Sequence, residues 1–154
     1  MTQSSQAPHG MIVRAARVVP ASPAEVYRLL TDPALMTSWW GKTERSTLFE
    51  CDMDVHTGGR FRFGIRSQKG DEDVVSGSYL EAVPPNKLAF TWSSEKPADG
   101  IVDTRVTVDL CDLKDGTTRA VITHEGLPSP HAATVHSAGW HNVLQDMSIH
   151  LVKS

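Results

Sequence analysis

After a short polar lead, Met11 to Val19 mixes β-branched residues with Arg14 and Arg17, and Pro20 follows. That pattern predicts a first strand with a hard stop. Ser22-Pro23-Ala24-Glu25 then supplies a cap serine, a proline at the first helical position and an acid in the first turn. Val26, Leu29 and Leu30 stand at i, i+3 and i+4, the apolar face of a short helix. Asp32-Pro33 ends it and starts a second short helix, capped by Asp32, that runs into Ser38-Trp39-Trp40-Gly41.

From Thr47 to about Glu125 the hydrophobic period changes to two. Thr47 to Asp52 is a weak strand, and Gly58-Gly59 breaks the chain before Phe61, Phe63 and Ile65 alternate with arginines. Val74 to Val83 is another strand, with Gly77 predicting a bulge or bend. Pro84-Pro85-Asn86 turns the chain, and Leu88, Phe90 and Trp92 share one face of the next strand. Beyond a polar loop from Ser94 to Gly100, Val102, Thr104, Val106, Val108 and Leu110 alternate with polar residues. Asp115-Gly116 turns, and Ala120, Ile122 and His124 share a face on the return. One wet and one dry face per strand is the signature of an antiparallel meander covered on one side.

The cover comes from Pro130 to about Val152. Trp140, Val143, Leu144, Met147 and Leu151 form one stripe, on a helix of roughly 30 Å at 1.5 Å per residue. Burying each such side chain contributes about 1.5–3 kcal/mol, so the stripe docks on the dry face. The expected architecture is α+β. A curved antiparallel sheet of about six or seven strands wraps a long C-terminal helix, with two short helices after the first strand.

Composition changes this picture little. The 154 residues, 40% of them hydrophobic, suit one domain over 10–154, with residues 1–9 as a disordered lead. A formal charge of -3 argues against a nucleic-acid partner. Cys51 and Cys111 stand far apart, which favours reduced thiols. The lead lacks the apolar core of a signal peptide and no stretch reaches transmembrane length, so a cytoplasmic location without stable membrane insertion is expected.

The order of these features resembles the START-like (SRPBCC, helix-grip, birch-pollen-allergen-like) superfamily. Within it the chain is similar to the family of homologues of the activator of the heat-shock protein 90 ATPase. The residues carrying the likeness are Pro23-Ala24-Glu25-Val26-Tyr27, Thr31-Asp32-Pro33, Trp39-Trp40-Gly41 and Gly58-Gly59-Arg60-Phe61. Gly77, Tyr79, Pro84 to Leu88, Phe90-Thr91-Trp92, Gly116-Thr117, Thr123 to Gly126 and Gly139-Trp140 continue it. One departure is His56, where the family often has arginine. The resemblance implies a cavity between sheet and helix that takes lipids, hormones, polyketides or other apolar molecules. Co-chaperone activity in this family belongs to larger proteins with an additional domain, for which this chain has no room.

The dry face and the expected pocket are one surface. Phe61, Phe63, Tyr79, Phe90, Trp92, Val106, Val108 and Ile122 point in from the sheet; Trp140, Val143, Leu144 and Met147 point back from the helix. Such walls suit a flat or aliphatic hydrophobic ligand held by few polar groups, although close packing of the same side chains would leave no void. Trp39 and His56 are placed near the rim. His124 is the one inward polar group, either a ligand contact or a core histidine satisfied by backbone or Tyr79. His131, His136, His141 and His150 are spaced by 5, 5 and 9, which does not suit paired helical metal ligands. No metal, cofactor or catalytic set is assigned. Arg60, Arg62 and Arg66 are expected to pair with Asp71, Glu72 or Asp73. The leading expectation is a binding protein for an apolar molecule. A cyclase- or hydrolase-like enzyme using His124 or His56, and a chaperone-modulating interaction protein, are the alternatives. A homodimer is compatible with each.

Overall fold

The computed structural model describes residues 10–40 and 46–153. The predicted lead at 1–9 and Gly41 lie outside them. The elements run β1 (Met11–Val19), α1 (Pro23–Thr31), α2 (Pro33–Trp39), β2 (Ser46–Met53), β3 (Arg60–Ser67), β4 (Glu72–Val83), β5 (Lys87–Ser94), β6 (Thr104–Asp112), β7 (Thr118–Leu127) and α3 (Pro130–Lys153). A single 3-10 turn, Pro97–Asp99, interrupts the loop between β5 and β6.

The helix starts follow the sequence. Ser22 Oγ accepts the Glu25 backbone N–H at 3.3 Å, and Asp32 Oδ1 accepts that of Ala34 at 3.0 Å. The Asp32 backbone N–H also donates to Arg28 O, so one residue closes α1 and opens α2.

All seven strands form one antiparallel sheet in the order β1-β7-β6-β5-β4-β3-β2. β1 closes back onto the last strand, pairing Ala15 with Ile122 and Val13 with His124. The sheet curves round α3, which packs most closely on β1 and β7, while α2 bridges β2 and α3. This is the helix-grip fold. Its core lies between α3 and the sheet, with Val106, Ala120, Leu127 and Met147 sealed from solvent.

Two local expectations are corrected. Val102 does not begin the alternating face of β6; it is 68% exposed, and Ile101 takes the buried place. The cause is Asp103 at φ 48°, which turns the chain and resets the side-chain phase before Thr104. The ladder to β5 is interrupted at Gly77 and at Ser78, whose N–H turns to Thr91 Oγ1, but the bulge itself falls further on, between Tyr79 and Glu81. Glycine at 77 serves close approach instead. A Cβ there would lie 1.9 Å from Thr91 O on β5 and 2.7 Å from the Phe61 ring.

Candidate functional site

Among the described residues, two of the voids beside the core differ in kind. The predicted pocket between the aromatic strand face and α3 has shrunk to about 30 Å³. Phe61, Phe63, Tyr79, Phe90, Ile122 and Leu88 line it from the sheet side. Phe61 is the filler: its ring lies 4.8 Å from Phe63, 5.6 Å from Tyr79, 5.3 Å from Phe90 and 6.0 Å from Trp92, centroid to centroid. These rings satisfy one another by packing, and about one water's volume is left.

The larger void is a cleft of about 800 Å³ beside the first half of α3. This volume lies within the range of small-molecule sites. Trp92, Trp140 and Val143 line both voids, as does Trp40, so these four form the cleft's inner wall. Ile65 and Val75 extend the apolar wall on β3 and β4, and Ile101 does so in the loop before β6. From α3 come Ala132, Val135, His136, Gly139, Asn142 and Asp146.

Trp39 lies in the core rather than at a rim, fully buried, with its indole N–H donating to Leu29 O at 2.9 Å. Its neighbour Trp40 is the one that reaches the cleft. Val106, Leu144, Met147 and His124 are sealed and line neither void.

His124 is held by a chain of hydrogen bonds. Trp140 Nε1–H donates to His124 Nδ1 at 3.0 Å, which leaves the ring proton on Nε2. Nε2 is 2.7 Å from Thr104 Oγ1, and that hydroxyl donates to Trp92 O at 2.7 Å. Thr104 and Trp140, not Tyr79, are therefore its partners. Burial pushes His124 down to about 3, and neighbouring His136, 4.9 Å away ring to ring, adds to the effect. A neutral, doubly bonded, sealed imidazole has no free nitrogen to offer a substrate.

His56 stands in the turn between β2 and β3, exposed, and does not line the cleft. Its ring nitrogens lie 3.0 Å from Thr57 O and from Asp54 Oδ2, and these acceptors raise its pKa. Burial and then Asp52 push the Cys51 thiol up to about 11, which keeps it protonated and a poor nucleophile. Arg66 pairs with Glu72 as expected, but Arg62 reaches Glu50 and Glu95 instead.

The cleft's polar residues were not singled out as ligand contacts in the sequence. Ser94 Oγ donates to Asp99 at 2.9 Å and lies 3.3 Å from Asp73, so two carboxylates share one hydroxyl at the sheet side of the cleft. Opposite them, His136 donates Nδ1–H to Ala132 O at 2.8 Å, which leaves Nε2 as its acceptor when neutral. His136, Gly139, Val143 and Asp146 stand at i, i+3, i+7 and i+10, a second stripe on α3 beside the apolar one. That spacing was the available signal. Among the described residues no group of three or more His, Cys, Asp or Glu is placed to hold a metal.

The fold and cleft can be set beside known proteins. The sequence model of the family described as Activator of Hsp90 ATPase homolog 1-like protein matches residues 20–151. No curated protein sequence matches the chain. Among solved structures, a protein from Rhodobacter sphaeroides is similar with TM-score 0.78 and 22% identity, over 96% of each chain. One from Chromobacterium violaceum is similar with TM-score 0.76 and 25% identity, over 91% of this chain and 96% of the other. A protein from Plasmodium falciparum described as an HSP90 activator shares the fold with TM-score 0.69 and 19% identity, over 92% of this chain and 96% of its own.

Proposed function

The chain belongs to the family of Activator of Hsp90 ATPase homolog 1-like proteins, and from that membership and the cleft together we propose that it is a cytoplasmic binding protein for an apolar small molecule or lipid. The observation that carries the reading is the cleft of about 800 Å³ beside α3, with tryptophans in its inner wall. Tryptophan offers a large apolar face at low conformational cost, which suits ligand contact. Among the polar residues that also line it, Asp73, Asp99 and His136 would orient a ligand rather than drive its entry.

The test is native mass spectrometry of the purified protein, followed by thermal shifts against a library of lipids and neutral aromatic compounds. A co-purified or added small molecule with a rise in Tm supports binding. No adduct and no shift across the library sinks it.

The family's name also favours a second reading, a chaperone-modulating role. It is tested by adding the protein to a heat-shock protein 90 ATPase assay. An unchanged ATPase rate, with no complex in a pull-down, removes that reading and leaves the cleft reading intact.

A further inference from the structure

Glycine is the poorest helix former after proline, so a glycine in a helix interior calls for a cause. Gly139 lies in the interior of α3, with no left-handed φ to explain it. Nor does packing explain it, since a Cβ built there meets no heavy atom within 4 Å. Gly77 and Gly59 are different, because a Cβ at either would lie 1.9 Å from a backbone oxygen. The described protein therefore has a steric need for glycine at 77 and 59 and none at 139.

What Gly139 does face is the cleft. Val135 and His136 one turn before it, and Asn142 and Val143 one turn after, all line the same cavity with it. It stands in the middle of the helical wall, where an absent side chain lets a flat surface lie against the helix backbone. A second feature also points to an occupant. Trp92 stands between this cleft and the smaller void, is 5% exposed, and its indole nitrogen is the buried side-chain polar atom without a partner among the described residues. The indoles of Trp39 and Trp140 are both satisfied.

Resting on the binding reading above, we propose that the cleft takes a planar aromatic ring system bearing a carbonyl or ether oxygen, and that Gly139 is the residue that selects for flatness. The ring lies against α3 at Gly139, across from the apolar wall of Ile65 and Val75. Its oxygen accepts the Trp92 N–H after a small turn of the indole brings that nitrogen, otherwise closed to solvent, to the cleft surface. A puckered or branched body of equal volume would meet the helix sooner and fit less well.

The probe is 6-propionyl-2-dimethylaminonaphthalene, a neutral planar ketone whose emission shifts to the blue in apolar surroundings. Fluorescence titration compares the full chain with Gly139→Ala, Gly139→Leu and Trp92→Phe. Gly139→Ala is expected to weaken the probe about tenfold or more, the effect of a methyl group in a fitted site. The same variant is expected to raise Tm by about 2–4 °C, because alanine favours the helix and nothing clashes. Gly139→Leu is expected to abolish binding in a folded protein, and Trp92→Phe to weaken it about fivefold by deleting one hydrogen bond. Equal affinity for the wild type and Gly139→Ala overturns the role of Gly139, and unchanged affinity in Trp92→Phe overturns that of the oxygen. Failure of the wild type to bind the probe overturns the planar-ligand inference as a whole; a library compound that still raises Tm would then uphold the binding reading without it.

Discussion

Trp140 on α3 donates its indole N–H to Nδ1 of His124 on β7 across 3.0 Å. This single contact joins the covering helix to the sheet at the place where the cleft meets the core. It also fixes which nitrogen of His124 carries the proton, and so sets the direction of the chain through Thr104 to the Trp92 carbonyl. His124 is a structural keystone in this fold.

Replacing His124 by phenylalanine keeps a ring of similar size and removes both polar ends. The Trp140 N–H loses its acceptor, and an orphaned buried donor costs about 1–3 kcal/mol. Imperfect packing of the new ring adds to that. His124→Phe is therefore expected to lower stability by about 2–4 kcal/mol, read as a lower urea midpoint with an unchanged m-value.

The same residue predicts an acid limb. Its folded pKa, about 3, lies below the ordinary histidine value of about 6.5 expected in the unfolded chain. Between these values the unfolded state binds a proton that the native state refuses. Stability is therefore fully present above pH 6.5 and falls as pH drops through the window toward 3, by about 1.4 kcal/mol per unit well inside it. His124→Gln removes this contribution. The difference in unfolding free energy between wild type and His124→Gln, measured by denaturant titration from pH 7 to 4, should shrink as pH falls. A constant difference would show that His124 titrates normally.

Gly77 gives a prediction of opposite sign to Gly139. Its would-be Cβ meets the backbone oxygen of Thr91 at 1.9 Å, and a backbone atom in a paired strand cannot step aside. Gly77→Ala must push β4 from β5 or rotate Phe61 out of the aromatic cluster, at a cost of about 3 kcal/mol or more. Thermal denaturation beside Gly139→Ala checks the pair: one Tm falls by several degrees and the other rises.

Much of the fold was legible because it depends on local chemistry. Ser22 and Asp32 announced two helix starts, and the stripe from Trp140 to Met147 announced which face of α3 is buried. Val102 belongs to an alternation that is real in sequence but broken in space by Asp103 at φ 48°. The cleft was less legible, for a different reason. Phe61, Phe63, Phe90 and Ile122 are inward residues, yet a face that points inward can either line a void or fill it. Here Phe61 sits amid four other aromatic rings and fills the predicted pocket. The remaining space lies where side chains are short or absent, at Ala132, Ser94 and Gly139. A periodicity that tracks large apolar residues passes over those positions.

The four tryptophans provide the most direct test of the central claim, because each indole N–H gives its own signal in a ¹H–¹⁵N correlation spectrum. Trp40, Trp92 and Trp140 line the cleft, whereas Trp39 is sealed and bonded to Leu29. Titrating the ¹⁵N-labelled protein with 1-dodecanol and with the planar ketone should move the first three signals and leave Trp39 in place. Stationary signals throughout the titration, or movement led by Trp39, would contradict a ligand site in the cleft beside α3.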